Sequence, residues 1–482
     1  MKRYERYADE IAQLIHGGAL SPGQRVPSVR EASRARGISP STVFEAYYLL
    51  EAQGLIRARP RSGYYVSARQ PLPPGRRQAE PQPSRPRGDS TGVAVSELVF
   101  EVLGSARDPA LVPLGSAFPG ADLFPLERLA RCLASGMRRL EPASIVQSLA
   151  PGDERLRQQI ALRYGMQGMA VDAAQVVVTN GAMEALNLCL EAVTQPGDVV
   201  AVESPTFYAA LQALERRGLR ALEVATHPRE GIDLAALEEA LARHPVRACW
   251  LMPSFQNPLG SLMPEERKRA LVALLARRQV PLIEDDVYGE LHLGPHRPAP
   301  AKAFDSEGLV MHCSSFSKCL APGYRVGWVA AGRFAGAVQR LKLMTTLSAA
   351  TPSQQALSEY LAQGGYERHL RALRATLAHQ QDRALAPIAR HFPEGTRVAR
   401  PEGGYFLWVE LPPALNALHL HRHALQHGIS LAPGQLFSAD QRFAHCVRIN
   451  YGHPAQGRLA PALECVGRLA STLLKEELPA LD

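Results

Sequence analysis

The chain of 482 residues holds seven cysteines, an odd number scattered from Cys132 to Cys465. That excludes an evenly paired secreted scaffold, and none of the spacings is that of a zinc site, so no metal is expected. No apolar run reaches the length of a membrane span, and the start, Met1-Lys2-Arg3-Tyr4-Glu5-Arg6, lacks the apolar stretch of a secretory signal. A cytoplasmic protein with no membrane partner is expected. No internal repeat is visible. What remains is an ordinary globular composition, 46% hydrophobic and 21% charged, in a chain too long for one core, so two or three domains are expected.

Charge is unevenly placed. Residues 1–93 carry 15 Lys and Arg against 8 Asp and Glu, whereas the other residues carry 39 against 38. A basic front on a neutral body is the electrostatic pattern of a nucleic-acid reader attached to something else.

The front, 1–68, reads as three helices and a hairpin. Tyr7, Ile11, Leu14 and Ile15 recur at helical spacing from Tyr4 to His16, with Gly17-Gly18 as a stop. Ser28 caps a second helix that runs to about Arg36, and Gly37 closes it. A third, Thr42 to Gln53, turns Val43, Ala46, Tyr47, Leu49 and Leu50 inward and ends at Gly54. Leu55–Arg59 and Tyr64–Val66 then flank Pro60-Arg61-Ser62-Gly63 as a basic wing. Two short helices joined by a Gly-containing turn make a helix-turn-helix, whose second helix reaches base edges with its first residues. Residues 69–93 are rich in Pro and Arg and nearly free of bulky apolar side chains. They predict an extended, semi-rigid linker.

In the remainder, 94–482, apolar runs alternate with helical stretches: Val176–Val178, Val199–Val202, Ala221–Val224, Ala248–Met252 and Pro281–Ile283, each followed by a helical stretch or a polar turn. This predicts an α/β fold with a mostly parallel sheet covered on both faces, and ligands at the carboxyl ends of the strands. Distinctive residues do follow the strands. Gly181 opens a helix whose first N–H groups, of Ala182 and Met183, can face an anion. Phe207 offers a ring to stack on, and Asn257 an amide donor. Asp285 ends a buried run, where a carboxylate needs a partner, and Tyr288 stands three residues on.

The densest stretch is Ser314-Ser315-Phe316-Ser317-Lys318-Cys319-Leu320-Ala321-Pro322-Gly323-Tyr324-Arg325-Val326-Gly327-Trp328. One lysine among hydroxyls, a Pro-Gly turn and an arginine suit a site that holds a phosphorylated aldehyde covalently: Lys318 as the amine, Ser315, Ser317 and Arg325 for the phosphate. The stretch resembles the lysine signature of fold type I aminotransferases, Ser-x-Ser-Lys-x-Leu-x-Pro-Gly-x-Arg-x-Gly, at every fixed position. The resemblance extends to Gly152–Ala161 upstream and to Gly403–Phe406 and Cys446–Asn450 near the end. It implies pyridoxal 5'-phosphate on Lys318, Asp285 on its pyridine nitrogen, Asn257 and Tyr288 on its phenolic oxygen, and Phe207 stacked. The phosphate would be held by Ser315, Ser317, Arg325 and the Ala182 and Met183 backbone. It also implies Arg448 on a substrate carboxylate, a smaller α+β subdomain and a homodimer.

The front resembles the GntR-type winged helix through Gly18-x-Leu20-x-Pro22-Gly23, Pro27-Ser28-x-Arg30, Thr42-Val43, Ala46-Tyr47, Leu50-Glu51, Gly54-Leu55 and Ser62-Gly63. That implies DNA contacts from Arg30, Ser41, Thr42, Arg61 and Gly63. Pro40 and Phe44 stand where some members carry arginine. In this order the parts resemble the MocR group of bacterial regulators. A cofactor-dependent transcription regulator is expected, reading two DNA half-sites and sensing pyridoxal phosphate, or an amine or amino acid, through the Lys318 imine. Two alternatives are a working aminotransferase with an appended DNA module and a cofactor-free dimer scaffold.

Overall fold

The computed structural model describes residues 3–16, 19–21, 23–52, 55–59, 62–67, 79–105, 108–142, 149–453 and 457–477. At the front, helices α1 (Arg3–His16), α2 (Val29–Arg36) and α3 (Pro40–Ala52) precede a hairpin of β1 (Ile56–Arg59) and β2 (Gly63–Val66). α2 starts at a reciprocal cap: the Ser28 hydroxyl accepts from Glu31 N–H at 3.3 Å, and the Glu31 carboxylate accepts from Ser28 N–H at 2.7 Å. Gly37, at φ 60°, ends it in the left-handed conformation. α3 starts two residues before Thr42, because Ser39 Oγ accepts from the Thr42 N–H at 3.2 Å and Pro40 takes the first helical position. Tyr7, Ile11, Val43, Ala46, Tyr47 and Leu50 form this unit's own core. Inside it the Tyr47 hydroxyl donates to Pro27 O at 2.7 Å. Leu14, expected inside, is 41% exposed, and Leu49 is half-buried. The expected stops at Gly17-Gly18 and Gly54, the turn residue Pro22 and the wing residues Pro60 and Arg61 lie outside the described residues.

The body holds β3 (Ser90–Gly92), β4 (Val112–Pro113), β5 (Val176–Thr179), β6 (Val199–Ser204), β7 (Arg220–His227), β8 (Gly231–Ile232), β9 (Val246–Leu251), β10 (Leu282–Asp285), β11 (Val310–Ser315) and β12 (Gly327–Ala330). Its main sheet has the order β3-β7-β6-β9-β10-β11-β12-β5, with β8 paired to β7. β7, β6, β9, β10 and β11 run parallel to one another, and β12 is antiparallel to both β11 and β5. The expected mostly parallel α/β sheet is present. β5, β6, β10 and β11 are buried along their whole length, as strands covered on both faces must be. A second, antiparallel sheet has the order β13-β14-β17-β16, from β13 (Arg397–Val398), β14 (Phe406–Glu410), β16 (Ala432–Pro433) and β17 (Cys446–Asn450). β15 (Ile429–Ser430) pairs with β4. Helices Tyr366–His391 and Leu459–Glu477 pack together.

The described part of the predicted semi-rigid linker does not stand free of the body. Residues 79–92 lie along the body: β3 adds to the main sheet antiparallel to β7, and Ser84 N–H donates to Thr226 O at 3.1 Å. Backbone pairing made this possible without bulky side chains, since each peptide carries a donor and an acceptor whatever its side chain. Among the described residues no helix is long and apolar enough to cross a membrane, and no group of three or more His, Cys, Asp or Glu is placed to hold a metal ion.

Candidate functional site

Because the central strands run parallel, the residues after β5, β6, β9, β10 and β11 gather at one edge of the sheet. Lys318 follows β11. Its Nζ donates to Ala117 O at 2.9 Å and lies 3.7 Å from the centre of the Phe118 ring. Burial disfavours the ammonium, and the Arg448 and Arg325 guanidinia add to that effect against Asp285, so the Lys318 amine is lowered to about 7. Asp285, the last residue of β10, is buried, and its Oδ1 has no hydrogen-bond partner. Burial first and the neighbouring Asp286 second push its carboxyl up to about 7. Asn257 and Tyr288 are also buried, and Asn257 Nδ2 donates to the Tyr288 hydroxyl at 3.3 Å.

Arg448 enters from β17 of the second sheet with no exposed surface. Its Nη1 donates to Asn257 Oδ1 at 3.0 Å and its Nη2 to Gly115 O at 2.7 Å, while Nε stays unpartnered. The guanidinium lies 4.3 Å from the Phe406 ring and 5.2 Å from the Phe437 ring. Burial works against its charge. A buried cation with a spare donor is matched by a carboxylate, which takes two parallel N–H bonds.

An anion cradle stands at the start of helix Ala182–Val193. Gly181, at φ 82°, precedes it, and a Cβ there would run into the Arg325 guanidinium. Only glycine lets the arginine approach this backbone so closely. Arg325, itself at φ 50°, donates from Nη1 to Ser317 Oγ at 3.1 Å. Ser315 Oγ accepts from Ser317 N–H at 3.3 Å. A Cβ on Gly327 of β12 would lie 2.7 Å from Ala182 N, so the strand and the helix start are pressed together. The helix start contributes its positive dipole end at the same place.

The structure thus links Lys318, Asp285, Asn257, Tyr288 and Arg448 in one group, and Ser315, Ser317, Arg325 and the Ala182–Met183 helix start in another. Phe207 is half-buried with its ring 4.7 Å from that of Tyr208; the ring that faces Lys318 Nζ belongs to Phe118. That loop, 115–120, is a part of the site that sequence reasoning missed. Tyr405 OH donates to Ala117 O at 3.1 Å, and Asn450 Nδ2 donates to Ser116 O and Phe118 O at 2.9 and 2.7 Å. Its signal was the punctuation Gly115, Pro119 and Gly120. Glu203 of β6 was also missed. Burial pushes its carboxyl up to about 8, so it stays mostly protonated at neutral pH and adds little charge beside Asp285.

In the front unit Arg30 and Ser41 are exposed, Thr42 and Gly63 are half-buried, and Arg61 lies outside the described residues. The Ser41 and Thr42 hydroxyls each bond Ser39 Oγ at 2.8 Å, holding the start of α3 in shape. Arg25, which sequence reasoning did not single out, brings its guanidinium beside Gly63 of the wing. Phe44 is 40% exposed and stacks on Tyr48, over which Arg371 of helix Tyr366–His391 sits at 5.0 Å.

Fold and site together define a DNA-binding winged helix joined to an aminotransferase body of the pyridoxal-phosphate kind. The residues fit that cofactor on their own chemistry: a half-buried amine of lowered basicity, an unpartnered carboxylate oxygen, and an anion cradle with no room for a Cβ. The family models agree. Residues 3–66 match the gntR family of bacterial regulatory proteins, and 141–462 match aminotransferase class I and II. The chain belongs to the GntR-type regulators fused to a class I and II aminotransferase domain, the MocR architecture.

It is 47% identical to the uncharacterized HTH-type transcriptional regulator YdcR of Escherichia coli, over 97% of this chain and 99% of that one. It is 31% identical to the 2-aminoadipate transaminase of Thermus thermophilus, over 80% of this chain and 97% of the enzyme. Among solved structures, LysN, an alpha-aminoadipate aminotransferase of Thermus thermophilus complexed with N-(5'-phosphopyridoxyl)-L-leucine, superposes with a TM-score of 0.70 at 29% identity, over 80% of this chain and all of that one. Pyridoxal 5'-phosphate is the cofactor these matches imply, and DNA is the partner of the front unit.

Proposed function

We propose that the chain is a transcription regulator whose grip on DNA depends on what occupies the Lys318 site: pyridoxal phosphate itself, or an amine or amino acid that reaches it. The observation that carries this reading is Lys318, lowered to about 7, together with the unpartnered Oδ1 of Asp285, in a chain that also carries a winged helix. When bound, the cofactor supplies an aldehyde carbon for amines and a ring that takes up electron density. Lys318 presents an amine of which about half is neutral at pH 7. Asp285 holds a proton at the ring nitrogen, and Asn257 and Tyr288 donate to the phenolic oxygen. Ser315, Ser317, Arg325 and the Ala182 and Met183 N–H groups hold the phosphate, Phe207 covers a ring face, and Arg448 receives an effector carboxylate. Arg30, Ser41, Thr42, Gly63 and Arg61 contact DNA, and a homodimer presents two such readers to two half-sites. The units taken together are 1–68, a connecting stretch 69–93 and 94–482.

The second reading, a working aminotransferase, is favoured by a specific feature: Arg448 is buried on β17 with an unpartnered Nε, which a substrate carboxylate would satisfy. Half-reactions separate the two. Protein loaded with pyridoxal phosphate is mixed with amino acids and then with keto acids, and amino-group transfer is followed over many cycles. A spectral change without repeated transfer, accompanied by altered DNA affinity, supports the regulator. Sustained transfer with unaltered DNA affinity refutes it.

A further inference from the structure

The stretch 79–92 touches both sheets of the body. Towards the second sheet, Val398 N–H of β13 donates to Ala79 O at 3.0 Å, and Gln82 N–H donates to the Glu410 carboxylate of β14 at 3.2 Å. Towards the main sheet, Ser84 N–H donates to Thr226 O of β7 at 3.1 Å, and Thr226 N–H donates to Ser84 Oγ at 2.9 Å. Arg229 and Glu80 form a two-bond ion pair beyond the end of β7, His244 bonds Gly88 O at 2.9 Å, and β3 completes the attachment. Pro81 is buried between these pins.

Arg442 closes the junction. It lies in the turn before β17, the strand that carries Arg448, and donates to Arg85 O at 3.0 Å, to Glu223 of β7 at 2.5 Å and to Ser204 of β6 at 3.0 Å. Glu223 in turn accepts from the Ser438 hydroxyl at 2.8 Å and from Ala439 N–H at 2.7 Å. One buried carboxylate therefore ties the turn of the second sheet to β7 of the main sheet, and the same arginine ties both to the connecting stretch.

We propose that residues 79–92 are a strap that converts occupancy of the Lys318 site into a displacement of the winged helix. The proposal rests on the sensing function proposed above. A ligand held by Arg448 of the second sheet and by Lys318 or Asp285 of the main sheet contacts both, so its binding favours one spacing of the two sheets over others. The strap is hydrogen-bonded to the same two sheets, so a change in their spacing must shift its pins. Its Ala79 end leads to the winged helix, and the Arg371–Tyr48 contact gives the reader a body surface to be drawn from or pressed against. A free tether would pass on no such change. A strap pinned at both sheets does.

The test compares full-length chains for binding to a duplex that the wild type enriches from a random pool, with and without saturating pyridoxal phosphate. The wild-type affinity ratio is expected to be about tenfold. Replacing residues 82–88 by a Gly/Ser run of equal length is expected to keep the visible absorbance of bound cofactor and to bring the ratio below about twofold. Because that replacement removes a sheet attachment, a second variant, Glu80→Ala with Ser84→Ala, loses two pins at no cost in chain length; its ratio is expected to fall to about threefold or less. Variants that take up cofactor and keep the wild-type ratio overturn the strap alone. A wild type whose affinity ignores pyridoxal phosphate, both alone and together with amino acids, overturns the sensing function, and the strap with it.

Discussion

The most informative perturbation of the site is pH, because the basicity of Lys318 is set by its surroundings. An ordinary lysine titrates near 10.4, so only about one in a few thousand is neutral at pH 7. Burial, with the Arg448 and Arg325 charges behind it and Asp285 partly opposing, brings Lys318 to about 7. The neutral amine is the form that attacks a carbonyl carbon. Capture should therefore rise with pH below 7 and level off above it. From pH 5.5 to 8.5 the neutral fraction goes from about 3% to about 97%, a rise of about thirtyfold with its midpoint near 7. An unperturbed amine would gain about a thousandfold over the same interval, without a plateau. The assay is rapid mixing of the cofactor-free chain with pyridoxal phosphate, followed by absorbance at each pH, with Lys318→Ala as the blank for the cofactor's own titration. A logarithmic rise that continues through pH 8.5 would refute the account of Lys318, since it would mean the amine is solvated and unpaired with these neighbours.

Three other changes address the remaining parts. Asp285→Asn replaces the unpartnered carboxylate oxygen by a neutral amide, and cofactor retention on dialysis should weaken by about 1.5–3 kcal/mol, the worth of a hydrogen bond to a charged group. Unchanged retention would remove Asp285 from the site. Arg448→Met should weaken amino acids by about 2–5 kcal/mol in calorimetry with the cofactor-loaded chain, while amines lacking the carboxylate bind as before. Equal losses for both would assign Arg448 to the fold alone. Gly181→Ala places a side chain at φ 82° against Arg325, so a loss of about 1–3 kcal/mol in stability and weaker competition by inorganic phosphate are expected. A variant as stable and as phosphate-sensitive as the wild type would contradict the cradle.

What could be read in the sequence was what is local. Ser28 announces the start of its helix, and the hydroxyls, turn and arginine around Lys318 lie within one short stretch. The run-and-turn pattern also placed Asp285, Asn257 and Tyr288 at strand ends, which a parallel sheet brings to one edge. What could not be read is held by partners far apart in the chain. Arg448 bonds Gly115 O, and Lys318 bonds Ala117 O, across hundreds of residues and through backbone atoms that every residue possesses. The same reason hid the strap. Its composition is that of a solvated tether, but Gln82, Ser84 and Ser90 attach through peptide groups, which composition does not reveal. Phe118 was hidden differently: 46% exposed, it covers Lys318 from a loop with no periodicity to mark it.

The central claim is that an amine in the body governs a reader at the front. Its most direct test is the salt-matched DNA affinity of the full-length wild type and of Lys318→Ala, each with and without pyridoxal phosphate. The claim predicts that the wild type changes its affinity on loading and that the variant binds DNA at one fixed affinity in both conditions. A variant that responds to the cofactor as the wild type does would contradict it.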